Sequence, residues 1–278
     1  MMHSVEAPSL HMICCGSGDP ILFLHGMPTS GRLWNGIIRR LCGRYRCFAV
    51  DLPGLGRSPS LPYDVGYMKR VAEQIDQIRI ANKIEKWHVV GHDAGSVVAV
   101  HYAHYFPEHV ACMALLSPAL FPDLKPFYLL EVLRKPIVGE MLAPLILAVF
   151  WKIAMRRALH DSEDRELAIK DFYRPFSTIR GPWRFMRVLR WGKPALVLAD
   201  VPGFLPTLKM PTLIFYGSHD VAIPAAFAQR AFELMPNASL VALESGHFIP
   251  LNQPEPVASR LSDFFDHHPR LCEIEGHV

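Results

Sequence analysis

The cysteines of the sequence form no recognisable motif. Its six cysteines form no C-x-x-C pair and no spacing typical of a disulfide framework, which favours free thiols and a reducing, cytoplasmic location. No cluster of histidines, cysteines and carboxylates has the spacing of metal ligands, and no glycine-rich phosphate loop occurs. We therefore expect neither a metal nor a cofactor.

Charge of one sign and long apolar runs are also scarce. The net charge is +3 with histidine counted as neutral, and no basic run predicts a nucleic-acid partner. The first 17 residues lack a basic stretch followed by an apolar core, so we expect no signal peptide. The longest apolar run, residues 141–151, is too short to span a bilayer and favours a buried or lid helix over an interfacial membrane contact. We expect no membrane association.

The composition is that of a globular α/β protein. Of the 278 residues, 50% are hydrophobic and 20% are charged, which is ordinary for a soluble domain. Two segments have helical patterns, residues 67–82 and 96–105. Short apolar runs predict buried strands at residues 21–24, 46–50, 87–90, 112–116, 212–216 and 239–243. Strands that alternate with helices predict a mostly parallel central sheet flanked by helices.

One long segment interrupts the alternation. Between residues 118 and 206 no clear strand pattern occurs, while prolines, aromatic residues and arginines are frequent. We predict a core domain made of residues 1–118 and 207–278 and an inserted helical cap domain over residues 119–206.

The most informative motif is Gly-His-Asp-Ala-Gly at residues 91–95. It follows a predicted strand, precedes a helix of small residues, and matches the G-x-Nuc-x-G turn that exposes a nucleophile. The central residue is Asp93 rather than serine. A carboxylate suits displacement at a saturated carbon, such as an epoxide carbon or a carbon bearing a halide, because its attack on a carbonyl would give an anhydride. The alternative is a plain strand–helix turn with an exposed aspartate.

The predicted nucleophile is ionised at neutral pH and needs a base only later, to activate the water that hydrolyses the alkyl ester. His247, just after the last predicted strand, is the candidate base, with structural packing as the alternative. Asp220, just past the preceding strand, is the candidate orienting acid. The alternatives are a turn role for Asp220 and the rival acid Asp123.

An oxyanion hole is predicted where the first buried strand ends, at His25, Gly26, Met27 and Pro28. The backbone N–H groups of Met27 and of Ala94, the residue after the nucleophile, are the expected donors. We assign supporting roles in these loops to His25, Gly26, Pro28 and His92.

Together these motifs resemble the epoxide hydrolase and haloalkane dehalogenase branch of the α/β-hydrolases, over roughly residues 8–118 and 205–265. The resemblance implies the α/β-hydrolase fold with a helical cap and a covalent alkyl-enzyme mechanism. Haloalkane dehalogenases bind the halide through a tryptophan after the nucleophile and an asparagine or second tryptophan. Ala94 and Met27 stand at two of these positions, and neither side chain can donate a hydrogen bond. Fluoroacetate dehalogenases carry arginines after the nucleophile, which Ala94 and Val97 do not match.

Epoxide hydrolases use cap tyrosines to protonate the epoxide oxygen, which makes Tyr128, Tyr173 and, in addition, Trp183 the candidate proton donors. We expect an epoxide hydrolase that opens an apolar epoxide to a vicinal diol. The alternatives are a haloalkane dehalogenase-like enzyme with an atypical halide site, and a hydrolase-fold receptor or cofactor-free isomerase.

The composition of the predicted cap indicates what kind of substrate to expect. Many Phe, Met and Leu residues predict an apolar pocket, so we expect a small apolar or aromatic organic substrate with water as co-substrate, bound by a monomer or homodimer. Arg180, Arg184 and Arg187 share one helical face, either as a solvated face or as a positive lid for an acidic substrate.

Overall fold

The computed structural model describes residues 10–124, 128–147, 153, 155, 156, 159, 165–191 and 197–268. The predicted apolar run at residues 141–151 therefore lies partly outside the described residues.

A seven-stranded sheet forms the centre of the described chain. Its spatial order is β1-β3-β2-β4-β5-β6-β7, and every pair is parallel except the antiparallel edge pair β1 and β3. The strands are β1 (Met12–Cys15), β2 (Asp19–Leu24), β3 (Tyr45–Val50), β4 (Trp87–Asp93), β5 (Val110–Pro118), β6 (Thr212–Gly217) and β7 (Ala238–Leu243). This confirms the mostly parallel sheet that the six apolar runs predicted.

Two differences from the predicted strands have simple causes. The edge strand β1 was not predicted, because only its antiparallel pairing with β3 defines it and two of its four residues are exposed cysteines. Strand β4 continues to Asp93, three residues beyond the predicted end at residue 90, because the sheet ladder pairs His92 with Leu116 and Asp93 with Pro118. The nucleophile candidate is therefore the last residue of a central strand.

Helices flank this sheet. The α-helices of the described chain are α1 (Asn35–Leu41), α2 (Tyr67–Ala81), α3 (Ala94–Tyr105), α4 (Tyr128–Arg134), α5 (Val138–Leu145), α6 (Arg165–Tyr173), α7 (Gly181–Trp191), α8 (Val201–Phe204), α9 (Ala225–Leu234), α10 (Ile249–Asn252) and α11 (Pro254–His267). Short 3-10 helices lie at Gly31–Trp34, Pro107–His109, Arg174–Phe176 and Leu205–Thr207. In the described chain, no helix is both long enough and apolar enough to cross a bilayer.

A buried polar network joins α2 to α3. The Oδ1 atom of Asp76 accepts hydrogen bonds from Tyr102 Oη at 2.9 Å, Arg79 Nε at 2.7 Å and His109 Nδ1 at 2.8 Å. Burial alone would raise the pKa of Asp76, but the bonds from Arg79 and Tyr102 and the positive charge of Arg79 lower it below its ordinary value. The network therefore keeps the buried carboxylate of Asp76 charged where α2 contacts α3.

The segment between β5 and β6 contains helices and no strand among its described residues. Arg184 of α7 ties this segment to the loop after β3, donating from Nε to the carbonyl oxygen of Gly54 at 2.8 Å and from Nη2 to that of Ser58 at 3.1 Å. A second tie is the ion pair between Arg32 and Asp171 of α6, at 3.3 Å. The position of this helical segment agrees with the predicted cap, whose boundaries stay a prediction.

Candidate active site

Asp93 stands at a sharp turn between β4 and α3. Its backbone has φ +50° and ψ −118°, a conformation that costs energy for a residue with a side chain. Gly95 permits this turn, because a Cβ atom at that position would lie 2.1 Å from the carbonyl oxygen of Leu24. The turn places the Asp93 carboxylate at the carboxyl end of the sheet, where ligands bind in open parallel sheets.

The loop after β2 meets this carboxylate. The backbone N–H of Met27 donates to Asp93 Oδ2 at 2.9 Å. Gly26 must approach closely for this contact, since a Cβ atom on it would lie 2.7 Å from both Cβ and Oδ2 of Asp93. Burial raises the pKa of Asp93 above its ordinary value, against the charge of His247 and the N–H groups of Met27 and Ala94. The predicted pair of oxyanion donors therefore faces the predicted nucleophile.

His25 holds the same loop in place. Its Nε2 accepts the backbone N–H of Leu52 at 2.9 Å, which leaves the proton on Nδ1 to donate to the carbonyl oxygen of Gly26 at 2.8 Å. Thr29 adds a hydroxyl bond to that carbonyl, also at 2.8 Å. Burial lowers the pKa of His25, so the ring stays neutral. These bonds agree with a bracing role, and Pro28 follows Met27 through a cis peptide bond within the loop.

His247 and Asp220 form a hydrogen-bonded pair beside the nucleophile. His247 Nδ1 lies 3.0 Å from Asp220 Oδ2, and Asp220 Oδ1 accepts the backbone N–H groups of Ala222 at 2.8 Å and Ile223 at 2.9 Å. Asp220 is fully buried, so its orientation is fixed by these three donors. The imidazole thus carries its proton on Nδ1 and has Nε2 available as a base.

His247 and Asp220 each favour the charged form of the other. Burial alone would lower the pKa of His247, but the hydrogen bond and charge of Asp220, together with the charge of Asp93, raise it above the ordinary value. Burial alone would raise the pKa of Asp220, but the bond and charge of His247 and the N–H of Ile223 lower it. The structure thus brings Asp93, His247 and Asp220 into one electrostatic cluster.

Asp123, the rival acid, lies elsewhere. Its carboxylate pairs with Arg230 of α9 at 2.9 Å, and its side chain is 63% exposed. It is a surface residue with no bond to His247.

Two further residues support this cluster: His92, for which a supporting role was predicted, and Ser117, which was not predicted. His92 reaches the carbonyl oxygen of His247 from Nε2 at 2.9 Å, and burial lowers its pKa to about 3, so it stays neutral and anchors the histidine loop. Ser117, at the end of β5, lies close enough to Asp220 to favour its charged form without a well-formed hydrogen bond. The available signal for Ser117 was its position, a polar residue at the carboxyl end of a parallel strand.

The cap candidates are less tightly placed. Tyr128 begins α4, and Tyr173 ends α6, where it is partly buried against the hydrophobic core. Trp183 is 53% exposed and lines a separate cavity with four arginines, which does not favour it as a proton donor at Asp93. Over the described residues, no group of three or more histidine, cysteine or carboxylate side chains is placed to hold a metal ion.

Comparisons with known proteins agree with this architecture. Residues 19–143 match the family model described as alpha/beta hydrolase fold. The haloalkane dehalogenase of Agrobacterium fabrum is 29% identical over 91% of this chain and 86% of its own length. The cis-3-alkyl-4-alkyloxetan-2-one decarboxylase of Shewanella oneidensis is 26% identical over 92% and 84%. A solved epoxide hydrolase structure superposes with a TM-score of 0.73 at 23% identity, covering 93% of this chain and 95% of that one, which shows a shared fold.

Proposed function

Since the chain has the α/β-hydrolase fold, we propose that it is a hydrolase in which a carboxylate oxygen of Asp93 attacks carbon and opens apolar epoxides to vicinal diols. The observation that carries the proposal is a carboxylate, in place of a hydroxyl, at the sharp turn between β4 and α3, with the N–H of Met27 donating to one oxygen. The core and cap domains are proposed at the predicted boundaries, residues 1–118 with 207–278 and residues 119–206.

The first step is displacement at carbon. An ionised oxygen of Asp93 attacks one epoxide carbon, the ring C–O bond breaks, and an alkyl ester forms. The freed ring oxygen takes up a proton from a cap donor, for which Tyr173 and Tyr128 are the proposed residues. His247 is not needed in this step, because the carboxylate is nucleophilic without a base.

The second step is hydrolysis of the ester. Nε2 of His247 removes a proton from water, and the resulting hydroxide attacks the carbonyl carbon of the Asp93 ester. The N–H groups of Met27 and Ala94 stabilise the oxyanion, and Asp220 stabilises the imidazolium. The ester C–O bond then breaks at the carbonyl, so the diol leaves with an Asp93 oxygen and water replaces that oxygen.

The leaving group is proposed to be a ring oxygen, because the side chains of Ala94 and Met27 offer a halide no hydrogen-bond donor. The Shewanella oneidensis relative is named for an oxetan-2-one, a four-membered lactone, which shares with an epoxide a strained ring C–O bond at saturated carbon. Halide displacement is the second candidate, and likeness to the Agrobacterium fabrum dehalogenase favours it. The proposed substrate is a small apolar or aromatic molecule.

The test compares products and trapped enzyme. Wild type and Asp93→Ala protein are incubated with styrene oxide and, separately, with 1-bromobutane and 1,2-dibromoethane, and diol and halide are measured together. His247→Gln protein is analysed by intact mass for a covalent adduct. His219→Gln is the control, because His219 is an exposed histidine that pairs with Glu244 at the surface. Diol with an epoxide-mass adduct only in His247→Gln supports the proposal, and halide release favours the second candidate.

A single turnover in H₂¹⁸O gives a sharper result. The covalent route puts the label into the peptide that contains Asp93 and leaves the first diol unlabelled, whereas direct attack of water on the epoxide labels the diol. An adduct that persists in Asp93→Ala protein, or label in the first diol, contradicts the assignment of Asp93.

A further inference from the structure

A cavity lies outside the Asp93 cluster, between α7 and the loop that follows β3. Its volume is about 450 Å³. It is lined by Arg57, Ser58, Pro59, Ser60, Arg180, Trp183, Arg184 and Arg187. Four of the eight lining residues are arginines and none is acidic. The cavity shares no residue with the nucleophile, the His247–Asp220 pair or the oxyanion loop.

The positive charges of this cavity are poorly compensated. Arg57, Arg180 and Arg187 are exposed and form no ion pair within the described part of the chain. Arg184 donates to two neutral carbonyl oxygens, and burial lowers its pKa against the attraction of Asp51. Asp51 itself is already engaged, since its oxygens accept the backbone N–H groups of Gly31 and Arg57 and contact His11.

The arrangement is unfavourable for the protein alone. Arg180 and Arg184 are four residues apart and Arg184 and Arg187 three, so like charges are neighbours on one helical face. They also lie around the first turns of α7, which has no acidic residue in its first turn, where the helix dipole disfavours cations. A bound anion would relieve both repulsions.

We propose that this cavity is a binding site for a small molecule with two or more negative charges on phosphate or carboxylate groups, next to a planar ring that stacks on Trp183. Guanidinium groups pair with both kinds of anion through two parallel hydrogen bonds. Trp183, at 53% exposure, offers an aromatic face beside them. The volume falls within the range of roughly 300–1,000 Å³ that small-molecule sites occupy. The inference does not depend on the reaction at Asp93.

The test is a binding measurement on the full chain at low ionic strength. Inorganic pyrophosphate and benzene-1,2,4-tricarboxylate are titrated separately by calorimetry, with Arg180→Gln/Arg187→Gln as the test variant. The control is Arg260→Gln/Arg46→Gln, which removes the same charge outside the cavity. We expect a dissociation constant below about 100 µM for at least one probe, weakened about 100-fold in the test variant, or about tenfold for each lost guanidinium. Binding of pyrophosphate alone assigns a phosphate ligand, and binding of the tricarboxylate alone assigns a carboxylate ligand.

Two further readouts separate a built site from general attraction. Trp183→Phe should abolish the change in tryptophan fluorescence on tricarboxylate binding while pyrophosphate still binds. The Arg180→Gln/Arg187→Gln variant should melt no lower than wild type without ligand, because it removes only repelling charges. Equal weakening in the control variant, or dissociation constants above about 100 µM for both probes, overturns the proposal.

Discussion

The pair formed by His247 and Asp220 permits a test that separates the two proposed steps. In Asp220→Asn protein the amide oxygen can still accept the N–H groups of Ala222 and Ile223, which turns the amide NH₂ toward His247 Nδ1. Two donors would then face each other, so the imidazole must move its proton to Nε2. That tautomer cannot take a proton from water at Nε2.

The expected size of the effect follows from this wrong tautomer. Ester hydrolysis should slow by about 10³- to 10⁴-fold, as when the acid of a Ser-His-Asp triad is replaced by its amide. This corresponds to about 4 to 5.5 kcal/mol in the activation free energy. Alkylation of Asp93 should stay within about tenfold of wild type, because that step uses no base. The variant should therefore consume one equivalent of epoxide and stop as the alkyl-enzyme.

Rapid-quench measurement of substrate loss, with intact mass spectrometry of the quenched protein, follows both steps. Asp123→Asn is the matched control, since it alters an exposed carboxylate that pairs with Arg230 at the surface and should change either rate less than twofold, or about 0.4 kcal/mol. Equal slowing of both steps in Asp220→Asn, or the absence of an adduct, would refute the reasoning. So would a comparable loss in Asp123→Asn.

Three other perturbations test the site and the fold. The hydrolysis step needs neutral His247, so its rate should rise with pH, through a pKa below that of His247 in the free enzyme because the ester removes the Asp93 charge that helps to raise it. Alkylation needs ionised Asp93, whose pKa is also raised, so it should fail in acid at a pH above the ordinary aspartate value; single-turnover pH profiles of each step check both. Gly26→Ala should lower the alkylation rate by about 5- to 160-fold, because its Cβ would overlap Asp93 and cost about 1–3 kcal/mol, whereas Gly43→Ala, where a Cβ meets nothing within 4 Å, should leave the rate unchanged. Asp76→Ala should lower the unfolding free energy in urea by about 3–5 kcal/mol at pH 7 by leaving its buried donors unpaired. Since the pKa of Asp76 is lowered in the fold, its charge stabilises the protein above the ordinary aspartate pKa, and this difference should shrink as the pH falls through the lowered value.

The central sheet could be predicted because its strands are short, apolar and separated by helical segments. β4 could be predicted only to residue 90, because the polar residues that follow remain in the ladder through pairing with β5, which periodicity does not show. The edge strand β1, a four-residue run that includes two exposed cysteines, is defined only by its antiparallel pairing with β3. Local pattern thus indicates what is buried on both faces and misses what tertiary pairing adds.

The candidate site divides in the same way. Asp93, Asp220 and His247 could be proposed because Asp93 ends a strand and the other two each follow one, all at the same edge of the sheet. The bond from His92 to the His247 carbonyl joins residues 155 positions apart, and no spacing rule gives it. The cationic cavity needed the fold as well, since Arg57 reaches the face of Arg180, Arg184 and Arg187 only when α7 packs on the loop after β3.

The electrostatics of the cluster explain why an aspartate at this turn suits two-step chemistry. A buried carboxylate with raised pKa is less solvated than one in water, so less hydration must be lost before it attacks carbon. The N–H of Met27 contacts the same group that later becomes an ester carbonyl, so one donor serves the anion before the reaction and the oxyanion during hydrolysis. His247, in contrast, holds a second ring proton up to a higher pH because its two carboxylate neighbours raise its pKa. It can act as a base only after that proton has left. When the pH lies above the pKa of Asp93 and falls below that of His247 in the alkyl-enzyme, ester hydrolysis should slow while ester formation continues, so the alkyl-enzyme should accumulate in wild type without any substitution.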